Sequence, residues 1–299
     1  MVPSGWAIVC DYYQNIDSPN WVPWSKMVSS PPVAAGTVVE GQYGTHGFAL
    51  FFTNGGKQVS PWYVRVPSSS RAPAPIQTES VDAPCCSRAR RHDLPLRAAG
   101  GSDSYTFVVE IPMGATAKME CMKEHWYNPI QQDSNKDGST RYYTYGVPFF
   151  NYGFLPQTWE DPSLMRNGFG GDNDPLDVME IGSGPLAMGS VVSVKVLGSL
   201  ELIDEGETDH KVIALRTDDP DASRIHDMAS LEQVKPGITA KMVDWLKMYK
   251  TSDGKAENVL ASDTPYSINE ATAIIEECHE RWQALKAGTT ANPGFFLGY

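Results

Sequence analysis

The stretch Gly170-Gly171-Asp172-Asn173-Asp174-Pro175-Leu176-Asp177 constrains this chain more than any other, because three carboxylates fall within six residues on a backbone that suits neither helix nor regular strand. Pro175 removes a backbone donor and pushes Asp174 toward extended geometry, while the paired glycines loosen the approach, so the spacing predicts a loop. Carboxylates held this close repel one another and persist only if cations offset the repulsion. Hard oxygen ligands suit Mg²⁺, Mn²⁺ or Ca²⁺ rather than Zn²⁺. The plain alternative is a polar turn, since Asp, Asn, Gly and Pro are ordinary turn residues. An EF-hand is excluded here: Asp177 stands where the sharp-turn glycine belongs and Ser183 where the bidentate Glu belongs.

The rest of the composition narrows the class. A chain of 299 residues, 41% hydrophobic, buries one sizeable core or at most two, and its 26 Gly and 22 Pro imply many loops. A formal net charge of −12 argues against a nucleic-acid partner, whose phosphates it would repel. No apolar run approaches the length of a membrane helix, and no basic segment followed by an apolar one opens the chain, so the expected setting is soluble, with no membrane partner, and cytoplasmic. Cys10, Cys85, Cys86, Cys121 and Cys278 are scattered and odd in number, which suits neither a disulfide framework nor a zinc site.

Residues 1–44 carry Trp6, Trp21 and Trp24 without periodicity and read as an irregular N-terminal arm. Strands are expected at 48–52, 105–111 and 118–122, the last placing Lys118 and Glu120 on one face. Residues 63–91 are rich in Pro, Ser, Ala and Arg with few aliphatics, and read as a disordered insertion. Asp133 to Gly138 matches half an EF-hand loop, but a hairpin turn before Arg141 is the better reading. Residues 150–162, crowded with aromatics and prolines, should form a rigid packed loop leading to the carboxylates. Further strands are expected at 178–181, 191–203, bent at Gly198, and 212–215. Between the last two lies an acidic hairpin, Asp204 to Lys211, with Asp204 and Asp209 at its two mouths. Pro236 starts a helix whose apolar stripe is Ile238, Met242, Trp245 and Tyr249, followed by Lys250. A capping box, Ser267 with Glu270, opens a last helix that buries Ala271, Ile274, Cys278, Trp282 and Leu285 and stops at Gly288, leaving 289–299 as a tail.

Two acidic segments, joined by Glu110 and Glu120 from earlier strands and flanked by Lys118, Arg141, Lys211 and Lys250, make the mixture that phosphoryl transfer needs. Carboxylates hold Mg²⁺, basic side chains neutralise phosphate oxygens, and one free carboxylate takes a proton from water. A glycine-rich phosphate loop is missing, so the nucleotide-binding routes are excluded.

In these residues the chain resembles the soluble inorganic pyrophosphatases of family I, eukaryotic type. Asp172-Asn173-Asp174-Pro175-Leu176-Asp177 matches the family's D-x-D-P-x-D signature. Val109-Glu110-Ile111-Pro112, Ala117-Lys118-Met119-Glu120, Asn151-Tyr152-Gly153, Pro156-Gln157-Thr158-Trp159-Glu160-Asp161-Pro162, Asp204 through Lys211, and Tyr249-Lys250 with Asp253-Gly254-Lys255 match in the same order. The likeness covers about residues 45–62 and 92–288, so the expected domain is 45–288 with 63–91 inserted. It implies an α+β fold built on a five-stranded OB-like closed β-barrel with flanking helices, hydrolysing pyrophosphate to two orthophosphates with several Mg²⁺ ions, Mn²⁺ being a substitute. Carried over by position, Asp172, Asp177 and Asp209 would be the chief metal ligands, with Glu110 and Asp204 serving additional ions and Asp174 acting as general base. Lys118, Arg141, Tyr152, Lys211, Tyr249 and Lys250 would grip phosphate, with Glu120 nearby in the acidic ring. Tyr145 is the candidate for a second active-site tyrosine. A homodimer is the associated state the resemblance offers, although Met113-Gly114 stands where the fungal interface has Arg-Trp. The alternative from another class is a calcium- or phosphate-binding module that keeps the fold without turnover.

Residues 63–91 interrupt what the family writes continuously. Deleting them is therefore expected to leave pyrophosphate hydrolysis within about twofold of the full chain, as for other tolerated surface insertions; loss of the cooperative unfolding transition on deletion would contradict this.

Overall fold

The computed structural model describes residues 30–62, 94–98, 103–166 and 168–297. Residues 1–29 of the arm, with Trp6, Trp21 and Trp24, the cysteines Cys10, Cys85 and Cys86, and the 63–91 insertion lie outside the described residues. Among the described residues two sheets share one main core. The first takes the order β1 (Thr37–Glu40), β2 (Ala49–Asn54), β6 (Ile130–Gln132), β5 (Met119–Cys121), with β3 (Lys57–Val59) also on β2. The second runs β12 (Val259–Leu260), β10 (Val191–Asp204), β4 (Ser104–Ile111), β7 (Asn151–Phe154), β9 (Asp177–Glu180), β11 (Glu207–Arg216), β8 (Gly170–Gly171), and β10 also pairs with β11. It is a mixed sheet, since β11 runs parallel to β8 and β9 while the other pairs are antiparallel.

Two irregularities in this sheet position chemistry. Between β4 and β7 the register passes from Val109 opposite Gly153 to Ile111 opposite Tyr152, which leaves Glu110 as the extra residue of a bulge. A bulge re-aims the side chain it carries, and Glu110 is buried. The opposing residue must be glycine, because a Cβ at Gly153 would lie 1.9 Å from Val108 O. A second register shift, between Val196 and Gly198, bends β10 where a bend is expected.

The β10–β11 hairpin is tighter than its acidic sequence suggests. Asp204 pairs with Glu207, and the intervening Glu205 and Gly206 both have positive φ, 49° and 96°. That is the backbone of a two-residue type I′ turn, which matches the twist of the flanking strands. Asp209 and Lys211 consequently sit inside β11, opposite Leu202 and Leu200, rather than in a loop.

Among the described residues three α-helices flank the sheets: α1 (Met228–Val234), α2 (Ile238–Met248) and α3 (Ile268–Ala287). Both halves of the Ser267–Glu270 capping box form, and α3 buries Ala271, Ile274, Cys278, Trp282 and Leu285 before ending at Gly288, φ 71°. His279 accepts a structural place, 2.7 Å from Gln157 O and stacked on Trp282. Helix α2 buries Met242 and Trp245 but is capped by Gly237, so Pro236 precedes the cap instead of occupying the first turn. Helix α1 has no counterpart in the sequence reading: its capping box pairs Asp227 with Ser230, without the Glu or Gln that signals one. Two further departures concern the ends. Residues 37–40 of the arm form β1, paired along β2, and the tail after α3 returns to the core through Phe295 and Leu297.

Gly153→Val is expected to destabilise the protein by at least about 2 kcal/mol, because it drives a side chain into a strand backbone. Urea unfolding measures this, and a change under about 0.5 kcal/mol would show that the bulge yields.

Candidate active site

The Asp172 loop is a loop only between two strands. Gly170 and Gly171 form β8 beside Glu207 and Thr208, and Asp177 begins β9, so the irregular part is 172–176. Its shape is fixed by pairing with the aromatic loop. Asn173 N and Glu160 N donate to Glu160 O and Asp174 O at 3.0 and 2.9 Å, and Leu176 N donates to Thr158 Oγ1 at 2.9 Å. Asn173 takes the left-handed conformation (φ 71°), tolerable for Asn, and its Oδ1 accepts from Trp159 Nε1 at 3.1 Å. Asp172 Oδ1 accepts from Asp174 N at 2.9 Å, while the Asp174 carboxylate itself is half-exposed.

Acidic side chains from these elements meet at one place. Ligand atoms of Glu160, Asp172 and Asp209 lie within 4.8 Å of one another. Lys211 joins Asp209 to Asp177, at 2.5 Å from Asp209 Oδ1 and in contact with Asp177 Oδ2. The parallel register sets Lys211 directly beside Asp177. Tyr152 donates its hydroxyl to Asp177 Oδ2 at 2.5 Å. Glu110, aimed inward by the bulge, accepts from Cys121 N at 2.6 Å.

Around this centre each remaining lysine meets an acid. Lys250 pairs with Asp204, Lys118 with Glu120 and with Asp133 at 3.2 Å, and Lys123 with Asp174. Arg141 Nη1 also holds Asp133, at 3.0 Å, and its Nε lies 4.0 Å from Asp253. Tyr249 stacks on Trp245 with ring centroids 4.8 Å apart. Tyr145 turns outward to Asp244 at 3.5 Å, whereas the buried Tyr143 packs toward Tyr249, 6.3 Å between centroids.

Burial sets the protonation of the cluster. Glu110 is pushed up to about 8, by burial first and by Asp177 second. Asp209 rises to about 7 through burial, against the pull of Lys211, with Asp172 and Asp177 adding to the rise. Asp172 rises well above the carboxylate range through burial and the nearby Glu160 and Asp177. Burial alone would lower Lys211, but Asp177 and Asp209 hold it well above the usual amine value. The Tyr152 and Tyr249 hydroxyls are raised by burial and neighbouring carboxylates, so both remain donors at neutral pH.

Three participants escape the sequence reading. Glu160 is buried, with Oε1 accepting from His210 N at 3.1 Å and standing 2.9 Å from His210 Nδ1; its Oε2 has no hydrogen-bond partner. Burial pushes His210 down to about 4, so the ring is neutral. Lys123 and Asp133 are the other two. Only the apolar surroundings of Glu160 in Thr158-Trp159-Glu160-Asp161-Pro162 hint at an acid turned inward; Lys123 and Asp133 carry no sequence signal, and Asp133 is masked by its turn-like context. An orphaned buried carboxylate oxygen within reach of two other acids fits a hard divalent cation.

The chain is similar to known proteins in sequence and in fold. A family model described as inorganic pyrophosphatase matches residues 107–283. A mouse protein named inorganic pyrophosphatase is 45% identical over 210 residues, covering 68% of this chain and 72% of the relative. The solved inorganic pyrophosphatase from Schistosoma japonicum superposes with TM-score 0.74 at 36% identity, covering 87% of this chain and 84% of its own. A truncated vacuolar soluble pyrophosphatase of Trypanosoma cruzi in complex with PPi superposes with TM-score 0.68 at 31% identity, covering 87% and 94%. Among the described residues no helix is long and apolar enough to cross a membrane.

The raised carboxyls carry a stability signature. Protons that Glu110 and Asp209 keep in the folded chain are released on unfolding, so their contribution is present below about pH 4 and is lost as pH rises through about 7 to 8. The melting temperature of metal-free protein is expected to fall across that window, and the increment added by Mg²⁺ to grow, because the ion requires the ionised ligands. An Mg²⁺ increment that shrinks with rising pH would contradict the assignment.

Proposed function

The chain belongs to the inorganic pyrophosphatase family, and from that premise we propose how its residues divide the hydrolysis of pyrophosphate to two orthophosphates. The observation that carries the division is the convergence of Glu160, Asp172 and Asp209 within 4.8 Å, with Lys211 bridging to Asp177. The scaffold is an OB-like five-stranded barrel, supported by the pairings β10–β4–β7–β9–β11 that return to β10.

Asp172, Asp177 and Asp209 would hold the principal Mg²⁺ ions, Glu110 and Asp204 the additional ones, and Mn²⁺ could replace Mg²⁺. Glu160 faces the same space from behind. When bound, the ions supply Lewis acidity, spreading the charge of the phosphates and lowering the pKa of water.

The protein's own groups do the rest. A water oxygen attacks one phosphorus, the bridging P–O bond breaks with its electron pair leaving on the departing phosphate, and the water proton passes to Asp174, the loop acid paired with Lys123. General-base removal of that kind is worth about 10²- to 10⁴-fold. Lys118, Arg141, Lys211 and Lys250 orient and neutralise the phosphates, and Tyr152 and Tyr249, held protonated, donate to them. The lysines that here neutralise carboxylates are the ones assigned to phosphate, so binding exchanges one anionic partner for another. Glu120 holds Lys118 in register. A covalent enzyme intermediate is unnecessary. The buried free thiols Cys121 and Cys278 suit a reducing compartment, for which we take the cytoplasm.

Asp174→Asn is expected to lower kcat by about 100-fold or more with the Mg²⁺ affinity little changed. In steady-state assays and metal titrations, Lys211→Ala should weaken pyrophosphate binding more than Mg²⁺ binding, and Asp177→Ala the reverse. Equal effects on both ligands would refute the division of roles, and Ca²⁺ binding without hydrolysis would favour the non-catalytic module.

A further inference from the structure

The segment after α3 comes back to the site from behind the Asp172 loop. The Phe295 ring, 4% exposed, meets Trp62 edge-on with centroids 5.2 Å apart and Trp159 edge-on at 6.0 Å. Its third neighbour is Lys123, whose Nζ stands 5.8 Å from the ring centroid and pairs with Asp174. The following residue secures the same lysine at its backbone: Phe296 N donates to Lys123 O at 2.7 Å, and Asn128 Nδ2 donates to that carbonyl at 2.8 Å. Trp159, edge-on to the same ring, donates to Asn173, the residue before Asp174.

One ring therefore backs both features that place the Asp174 carboxylate: its counter-cation and its loop. A free lysine stem carries about 2 kcal/mol of rotamer entropy, so an ammonium aimed at one carboxylate needs walls. The Asp174 side chain is 43% exposed and has little packing of its own to fix it. A displacement of about 1 Å in a reacting group can cost up to about 100-fold in rate.

We infer that Phe295 and Phe296 are positioning residues for the hydrolytic step, holding Asp174 in place through Lys123 and Trp159. This rests on Asp174 being the proton acceptor. Because the contacts lead to Asp174, the loss on disturbing them falls on kcat and spares KM.

The test uses the full chain with saturating Mg²⁺. Phe295→Ala is expected to lower kcat about tenfold with KM within about twofold, and Phe295→Leu, which refills the space, to recover most of that loss. Combined with Lys123→Met, Phe295→Ala should add little further, since residues acting through one another are not additive. Phe296→Pro removes the N–H given to Lys123 O while leaving the Phe295 ring, and is expected to lower kcat in the same way, which keeps the inference testable if Phe295→Ala does not fold. Leu285→Ala on α3 serves as the control for general destabilisation and should lower the melting temperature without lowering kcat of the folded protein. The inference is overturned by unchanged kcat in folded Phe295→Ala and Phe296→Pro, by additive losses with Lys123→Met, or by an equal kcat loss in Leu285→Ala. Asp174→Asn separates the two readings: if it retains turnover while the tail and Lys123 variants still couple, the assignment of Asp174 as base fails and the coupling of the tail to turnover stands.

Discussion

The structure depends on how a cluster of buried negative charge is compensated. Isolated carboxylates taken out of water would cost several kcal/mol each, far more than a marginally stable domain tolerates. Two forms of relief are visible. Where a lysine reaches, it pairs: Lys211 with Asp177 and Asp209, Lys250 with Asp204, Lys118 with Glu120, Lys123 with Asp174. Where none does, at Asp172 and Glu160, burial holds the proton on. A divalent cation would be a third form of relief, and three acids whose ligand atoms lie within 4.8 Å of one another could hold one.

The same constraint explains why the supporting backbone is so specific. Glu110 reaches the cluster only because a bulge turns it inward, and the bulge survives only because Gly153 leaves room for it. Asp209 and Lys211 share a face of β11 because they are two residues apart, and the tight Glu205-Gly206 turn fixes that strand against β10. The loop holding Asp172 and Asp174 would scatter without its backbone bonds to Glu160 and its anchor on Trp159. Rigid support of this kind lets side chains act at fixed separations, which catalysis by positioning and electrostatics requires.

Much of this is legible in the sequence wherever local chemistry is decisive. The strands at 105–111 and 191–203, the bend at Gly198 and the capped helix from Ser267 to Gly288 follow from β-branched runs, a strand-interior glycine and a capping box. Their failures are equally local. β1 carries only four residues with little apolar alternation, α1 lacks the acidic half of a capping box, and the Phe295 tail has no periodicity to announce that it packs. The acidic hairpin reads as a loop because Asp and Glu look like solvated turn residues, although only Glu205 and Gly206 turn.

What the sequence by itself determined is the inventory and its order: D-x-D-P-x-D, the Glu110 and Lys118 strands, Asp209 with Lys211, Tyr249 with Lys250, and through them the family. What only the tertiary structure decided is who meets whom. Glu160 joins Asp172 and Asp209, Asp133 steadies Lys118 and Arg141, Tyr143 rather than Tyr145 packs toward Tyr249, and Lys123 stands between Asp174 and the tail. Most of those pairings join different elements of the chain. No local pattern encodes them, because electrostatic contact depends on distance in space, and that distance is set by strand register and by packing across the core.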